Sequence, residues 1–351
     1  MLELITSPED LPPALAASLS TEEREWIQKS KNAGLPFAVT PHFASLAGPS
    51  RIDPIRRQFI PDPLEALTDP FALDDPLGEA LYCVTARLVH QYKDRVLLHA
   101  GGTCAGFCRY CFRRRRMSFP AAFITEKELQ PVLAYLESRP GIREIILSGG
   151  DPLIAEDNEL EALFKNLRKA RPDLTIRLGS RVPITNPERF SGDTIALFAK
   201  FRPIRMAIHI NHVRELSLAS RAVLGSAVEA GIPVLVQTVL LRGINDNAEA
   251  LAELFSECLE LGLSPYYLFQ LDLAPGTAHF RVPLKEGLSV YRALKNLLAD
   301  RGLPAYVVDL PGGGGKIRLR EDVIAGEDER PGGRVYLLKD HTGKLWDYPI
   351  N

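Results

Sequence analysis

The chain has little cysteine, five residues among 351, and no apolar run long enough to span a bilayer. Its first residues, Met-Leu-Glu-Leu-Ile-Thr-Ser-Pro-Glu-Asp, lack the basic and apolar regions of a secretory leader. There is no low-complexity tract and no repeat beyond an alternation of strands and helices. Charge is nearly balanced, with 42 Lys and Arg against 44 Asp and Glu and a net charge of −2. No global field therefore draws the chain to nucleic acid or to an anionic membrane, and neither is an expected partner. Without an export signal the expected setting is the reducing cytoplasm, where clustered cysteines point to metal binding or catalysis rather than disulfides. A hydrophobic fraction of 46% and a charged fraction of 25% are those of a globular protein.

What is present is concentrated. Cys104, Cys108 and Cys111 lie in Gly-Thr-Cys-Ala-Gly-Phe-Cys-Arg-Tyr-Cys-Phe with the spacing C-x3-C-x2-C. A cubane iron–sulfur cluster normally takes four cysteines, so three leave one iron open. That spacing resembles radical S-adenosylmethionine (SAM) proteins, where SAM takes the open iron. The competing reading is a structural zinc site completed by a histidine such as His99. Zinc sites usually show two separated ligand pairs, and no second pair exists here. The other two cysteines, Cys83 and Cys258, lie in apolar segments and read as buried packing residues.

Short apolar runs at 95–100, 144–148, 175–180, 205–210, 233–240, 266–271 and 305–310 read as strands. Amphipathic stretches at 126–138, 159–170, 215–230, 248–261 and 286–299 read as helices between them. Thr125 with Glu128 forms a capping box ahead of the first helix. This repetition implies parallel strands with right-handed crossovers, hence an α/β fold built on a partial (β/α)6-type barrel. In such barrels the chemistry sits at the C-terminal ends of the strands. Residues 1–75 read as a mainly helical extension, 76–300 as the barrel core and 301–351 as a C-terminal segment ending in a small hairpin.

Further constellations follow the cysteines. Ser148-Gly149-Gly150-Asp151 ends the second strand, where glycines allow close approach of a ligand and the carboxylate can receive an ammonium group; an ordinary strand-ending turn is the alternative. Asp309-Leu310-Pro311-Gly312-Gly313-Gly314-Gly315-Lys316 is not a phosphate-binding loop, because Leu310 stands at the first required glycine and Ile317 follows the lysine. It reads as a mobile tether for a lysine that holds pyridoxal 5′-phosphate (PLP) and swings aside for substrate, or as a flexible surface loop. The run Arg113-Arg114-Arg115-Arg116 reads either as a solvated or nucleic-acid-facing patch or, at Arg113, as an inward grip on a carboxylate. With zinc at the cysteines, the first choice describes a zinc-stabilised RNA-binding protein. Asp272 and Asp309, each near the end of a late strand, suit an ammonium group if they converge.

Together these residues resemble the lysine 2,3-aminomutase family over most of the chain. The resemblance includes Ala38-Val-Thr-Pro-His-Phe-Ala-Ser-Leu, Tyr92-Lys-Asp-Arg-Val-Leu-Leu, Gly179-Ser-Arg-Val-Pro, His209-Ile-Asn-His, Gln237-Thr-Val-Leu-Leu-Arg-Gly-Ile-Asn-Asp, Tyr266-Tyr-Leu-Phe-Gln-Leu-Asp and His279-Phe-Arg-Val-Pro. It implies a radical SAM isomerase that moves the 2-amino group of L-lysine to C3. Cys104, Cys108 and Cys111 would hold a [4Fe–4S] cluster and Lys316 would hold PLP. Tyr92 and Arg95 would bind the PLP phosphate, Arg113 the substrate α-carboxylate, and Asp272 and Asp309 the ε-ammonium. Ser148, Gly149, Gly150, Asp151, Ser180, Arg181, His209 and Gln237 would line the SAM site. An electron donor such as flavodoxin or ferredoxin and a homo-oligomeric assembly are implied as well. The chain departs from the larger members at Gln91 (arginine there), at Tyr110 (histidine there) and in lacking their cysteine-rich, zinc-binding C-terminal extension. Its shortness and Cys108-Arg-Tyr-Cys-Phe-Arg-Arg look more like the branch that supplies β-lysine for elongation factor P, a branch that often lacks the Pro-Gly-Gly-Gly-Gly-Lys retained here.

Overall fold

The computed structural model describes residues 2–30, 35–114 and 122–350. Nine strands form one sheet in sequence order: β1 (Leu88–Tyr92), β2 (Arg95–Gly101), β3 (Glu144–Gly149), β4 (Thr175–Ser180), β5 (Ile204–His209), β6 (Val234–Val239), β7 (Ser264–Phe269), β8 (Ala305–Leu310) and β9 (Gly315–Arg318). Strands β2 through β8 pair in parallel, while β1 and β9 are antiparallel to their neighbours at either end. The parallel strands are joined by α1 (Glu126–Glu137), α2 (Asp157–Ala170), α3 (Gly192–Lys200), α4 (Leu218–Glu229), α5 (Ala248–Glu260) and α6 (Leu284–Leu298).

Period-two alternation gives the sheet two different faces. Ile145, Leu147, Ile176, Leu178, Met206, Ile208, Val234, Val236 and Val308 are buried in the main core. The intervening residues, among them Ser148, Arg177, His209, Gln237 and Asp309, line an interior cavity. Helix α2 shows the complementary pattern, burying Leu160, Leu163, Phe164 and Leu167 at helical spacing. The Thr125–Glu128 capping box forms as expected. Helix α3 was not expected; Gly192, Asp193 and Thr194 give its first turn low propensity, and the Ser191 cap compensates.

The sheet curls toward closure without a β1–β9 ladder. Side chains bridge that seam: Lys316 N–H donates to Tyr92 Oη at 3.0 Å, and Gln91 Nε2 donates to the Gly313 carbonyl at 3.2 Å. The glycine run is therefore not the mobile tether that its composition suggests. A Cβ on Gly78 would lie 2.6 Å from Gly313 N, one on Gly314 would meet Trp346 at 2.8 Å, and Tyr82 Oη donates to Gly313 O at 2.8 Å. The glycines make a tight, closely packed turn, with Gly312, Gly313 and Gly315 at positive φ.

Two other sequence readings change. The tail is a three-stranded sheet, β10 (Ile324–Arg330), β11 (Gly333–Lys339) and β12 (Leu345–Pro349), rather than a hairpin. Its unforeseen strand, Ile-Ala-Gly-Glu-Asp-Glu-Arg, is an exposed edge with the charges such edges carry. Cys83 is exposed, whereas Cys258 is buried on α5 as expected.

The N-terminal region consists of short helices (Pro13–Ala17, Thr21–Ser30, Pro41–Ser45) and turns draped on the cysteine loop. Phe107 N–H donates to Ala38 O, and Arg109 N–H donates to Gln58 O. Buried Glu65 receives both the Arg109 and Arg114 guanidinium groups at 2.5 Å. Burial alone would raise the Glu65 pKa, but the two arginines outweigh it and hold the carboxyl below its ordinary value. Among the described residues, no helix is long and apolar enough to cross a membrane.

Candidate active site

One cavity of about 520 Å³ occupies the interior of the curled sheet. Cys104, Cys108 and Cys111, the Ser148–Asp151 turn, Ser180, Arg181, His209, Gln237, Arg113, Tyr92, Arg95, Asp272, Asp309 and Lys316 all line it. These residues come from segments more than 200 positions apart. The fold brings them together because each sits on the inward phase of a strand or on the loop at its C-terminal end.

The cysteine loop follows β2 and docks on the turn after β3. Gly150 N–H donates to Gly101 O at 2.8 Å, and Asp151 N–H donates to Thr103 O at 2.7 Å. A Cβ on Gly149 or Gly150 would lie 2.2 Å from the Gly101 or Thr103 carbonyl oxygen, respectively. The glycine pair thus admits the loop's own backbone, not only a ligand. Asp151 acts as the hub of that turn: it accepts hydrogen bonds from Ser180 Oγ at 2.7 Å, Leu153 N at 3.1 Å and Arg181 N at 2.6 Å.

Of the arginine run, Arg113 and Arg114 are buried and face carboxylates; Arg115 and Arg116 lie outside the described residues. Arg113 donates to Glu79 at 2.6 Å and to Ser148 Oγ at 3.0 Å. A nucleic-acid-facing patch needs exposed cations, so Arg113 and Arg114 do not form one. His99, the candidate zinc ligand, places Nε2 3.8 Å from Glu79 Oε2 and does not line the cavity.

At the far wall, Lys316 on β9 pairs with Asp309 on β8, with Nζ 2.5 Å from Asp309 Oδ2. Its ammonium lies 4.1 Å from the Phe269 ring centroid and 5.2 Å from that of Tyr267. Asp272, just beyond β7, is half-buried, and its Oδ1 is shielded from solvent and has no hydrogen-bond partner. Burial, then the neighbouring Asp309 charge, pushes the Asp272 carboxyl up to about 8. A shielded, unsatisfied carboxyl oxygen beside a second acid is a place for a cation.

The Radical SAM superfamily model matches residues 99–255. A Treponema pallidum protein provisionally named an L-lysine 2,3-aminomutase is 45% identical over 89% of each chain. The L-lysine 2,3-aminomutase of Methanococcus maripaludis is 33% identical over 95% of this chain and 76% of its own. The glutamate 2,3-aminomutase of Clostridioides difficile is 32% identical over 93% of this chain and 76% of its own. The chain belongs to the lysine 2,3-aminomutase family. A zinc-stabilised RNA-binding protein is set aside accordingly.

The donor set fits the family's cluster. Cys104, Cys108 and Cys111 are free thiols on one wall, and neither Cys83 nor Cys258 joins them. Burial first, then the adjacent thiols, holds Cys104 well above its ordinary value and pushes Cys111 up to about 11. Bound iron reverses that preference by stabilising the thiolates. Burial, then the Arg181 and Arg113 charges, pushes His209 down to about 4, so its ring is neutral at physiological pH. Tyr92 is pushed up to about 12, chiefly by burial and Asp309, and stays a phenol able to donate.

Several lining residues were missed by sequence reasoning: Glu79, Arg177, Tyr267, Phe269 and Arg318. Arg177 on β4 and Tyr267 and Phe269 on β7 were legible from strand phase. Arg318 likewise follows Lys316 by two on β9. Glu79, on a short 3-10 turn (Glu79–Tyr82), carries no local signal.

The Asp272 shift has a stability consequence. An unfolded carboxyl ionises near the ordinary 3.8, the folded one at about 8. Between those values the folded state holds a proton that the unfolded state has lost, so stability falls as pH rises through the window. Asp272→Asn should therefore stabilise the cluster-free protein at pH 9 by on the order of a few kcal/mol relative to its effect at pH 4. Thermal melts at the two pH values test this, and equal effects at both would contradict it.

Proposed function

We propose that this chain is a radical SAM isomerase that converts L-lysine to β-lysine in this cavity. The observation that carries the choice of lysine is the Asp272 Oδ1 left unsatisfied beside Asp309. A distal ammonium would favour loss of the raised Asp272 proton and pair with the resulting carboxylate, whereas a distal carboxylate would gain no cation there and add negative charge beside the two aspartates. This is the discrimination needed in a family with both lysine and glutamate enzymes among its members.

When bound, the cluster with SAM would supply a hydrogen-abstracting radical, and PLP would supply an aldehyde for amine binding and a ring that delocalises an unpaired electron. The chain's own residues have separable tasks. Cys104, Cys108 and Cys111 hold the cluster on the β2 loop. Ser148, Gly149, Gly150, Ser180, His209 and Gln237 line the same cavity as the thiols and so suit SAM; Asp151 braces Ser180 and the Arg181 backbone. Lys316 would provide the amine for PLP, and its backbone is latched to Tyr92, so that any freedom of the amine lies in its side chain. Asp309 pairs with the free Lys316 ammonium, which leaves Asp272 as the acid open to a substrate ammonium. Arg113, fixed by Glu79 and Ser148, presents a guanidinium oriented for the α-carboxylate. The Tyr267 and Phe269 rings flank the Lys316 ammonium and would limit water beside it.

The phosphate of PLP fits Tyr92 and Arg95, with Arg318 as a third contact. Arg318, exposed at the cavity's rim, lies two residues and about 7 Å beyond Lys316 on β9, while Gln91 is engaged by Gly313 O. A small protein reductant such as flavodoxin or ferredoxin, a cytoplasmic setting and a homo-oligomer belong to the same reading. Supply of β-lysine for elongation factor P would use the same site.

Anaerobically reconstituted protein supplied with SAM, PLP and dithionite should form β-lysine from L-lysine and at least 100-fold less product from L-glutamate. Comparable turnover of glutamate would contradict the aspartate argument. Arg318→Met should weaken PLP about tenfold, read from the visible imine band, while leaving phosphate-free pyridoxal unchanged. An equal loss for both would remove Arg318 from the phosphate site.

A further inference from the structure

Arg181 was expected among the SAM contacts, but its side chain turns toward the thiols. Nη1 donates to Cys108 Sγ at 2.9 Å, and Nη2 donates to Glu215 Oε2 at 2.8 Å and to Gln58 Oε1. The guanidinium lies 4.7 Å from the Phe43 ring and 5.6 Å from that of Tyr110. Its partners are themselves immobile. Glu215 and Gln58 are fully buried. Glu215 Oε1 accepts from Gln58 Nε2 at 2.9 Å and from Asn211 N and His212 N, both at 3.0 Å. Asn211 Nδ2 donates to Gln58 Oε1 at 3.1 Å. A buried cation is thus held in one orientation with an N–H aimed at a sulfur, and a buried anion stands behind it.

We propose that Arg181 is a positioning residue that sets the reduction potential of the cluster held through Cys108, with Glu215 as the opposing charge. This rests on the reading that the three cysteines carry a [4Fe–4S] cluster. Reduction adds one negative charge to cluster and thiolates together. An N–H donated to a ligand sulfur, and a fixed positive charge beside it, stabilise the more negative state and raise the potential. Glu215 offsets part of that field. The arrangement has two opposed levers, so removing each moves the potential in opposite directions. A purely structural role for the same residues has no such signature.

The experiment is an EPR-monitored redox titration of the full-length reconstituted protein, comparing the unaltered chain with Arg181→Met, Arg181→Lys and Glu215→Gln. Arg181→Met should shift the midpoint to more negative potential, with Arg181→Lys in between because it keeps the charge but not the fixed fork. Glu215→Gln should shift it to more positive potential. If Arg181→Met fails to assemble a cluster, the Lys and Gln variants decide by the same opposed shifts. Unchanged midpoints at unchanged iron content, or shifts of the same sign in Arg181 and Glu215 variants, overturn the proposal. Failure of the unaltered chain to take up iron and sulfide would instead overturn the cluster reading beneath it.

Discussion

The site depends on one backbone contact: the cysteine loop lying directly on the Gly149–Gly150 turn. The Gly101 and Thr103 carbonyls receive the Gly150 and Asp151 amides, and no Cβ fits between the two segments. This contact fixes where the loop leaves β2, and hence which way the three thiols face. It also couples the loop to Asp151, whose carboxylate organises Ser180 and the Arg181 backbone at the end of β4. From the other side, the N-terminal segment clamps the same loop through Glu65 and its two arginines. Buried ion pairs of this kind cost desolvation to form, but losing one partner leaves a bare buried charge. They suit a loop that must hold one geometry.

Within the cavity, charge is arranged by task. Arg113 and Arg181 act on the thiols, while Asp309 pairs with Lys316 and its charge acts on Asp272. An amino acid with a carboxylate at one end and an ammonium at the other matches this polarity. The apolar rings of Tyr267 and Phe269 stand beside Lys316, where a conjugated cofactor needs flat, water-free surroundings.

Much of this was legible before any coordinates. The seven parallel strands follow from apolar runs, and the cysteine spacing with Lys316 and the two aspartates pointed to the cavity's contents. What was missed has physical causes. Composition makes Gly312–Gly315 read as flexible, yet glycines serve equally where backbones pack closely, and Gly78 and Trp346 supply the partners. Strand β10 is charged because it is an exposed edge. Glu79, Gln58 and Glu215 act through partners 34 to 157 positions away, distances at which local pattern carries no information. Arg181 is expected at the site from the resemblance, but its side chain turns to Cys108 and Glu215, and only the packed structure supplies that.

The three thiols and the aspartates that suit a lysine ammonium line one cavity, so hydrogen would pass directly between radical source and substrate. The decisive measurement is an anaerobic turnover with L-lysine deuterated at C3, followed by mass analysis of product and recovered SAM. Deuterium in both β-lysine and the 5′ carbon of SAM is the predicted result. β-Lysine formed with no deuterium reaching SAM would contradict the account.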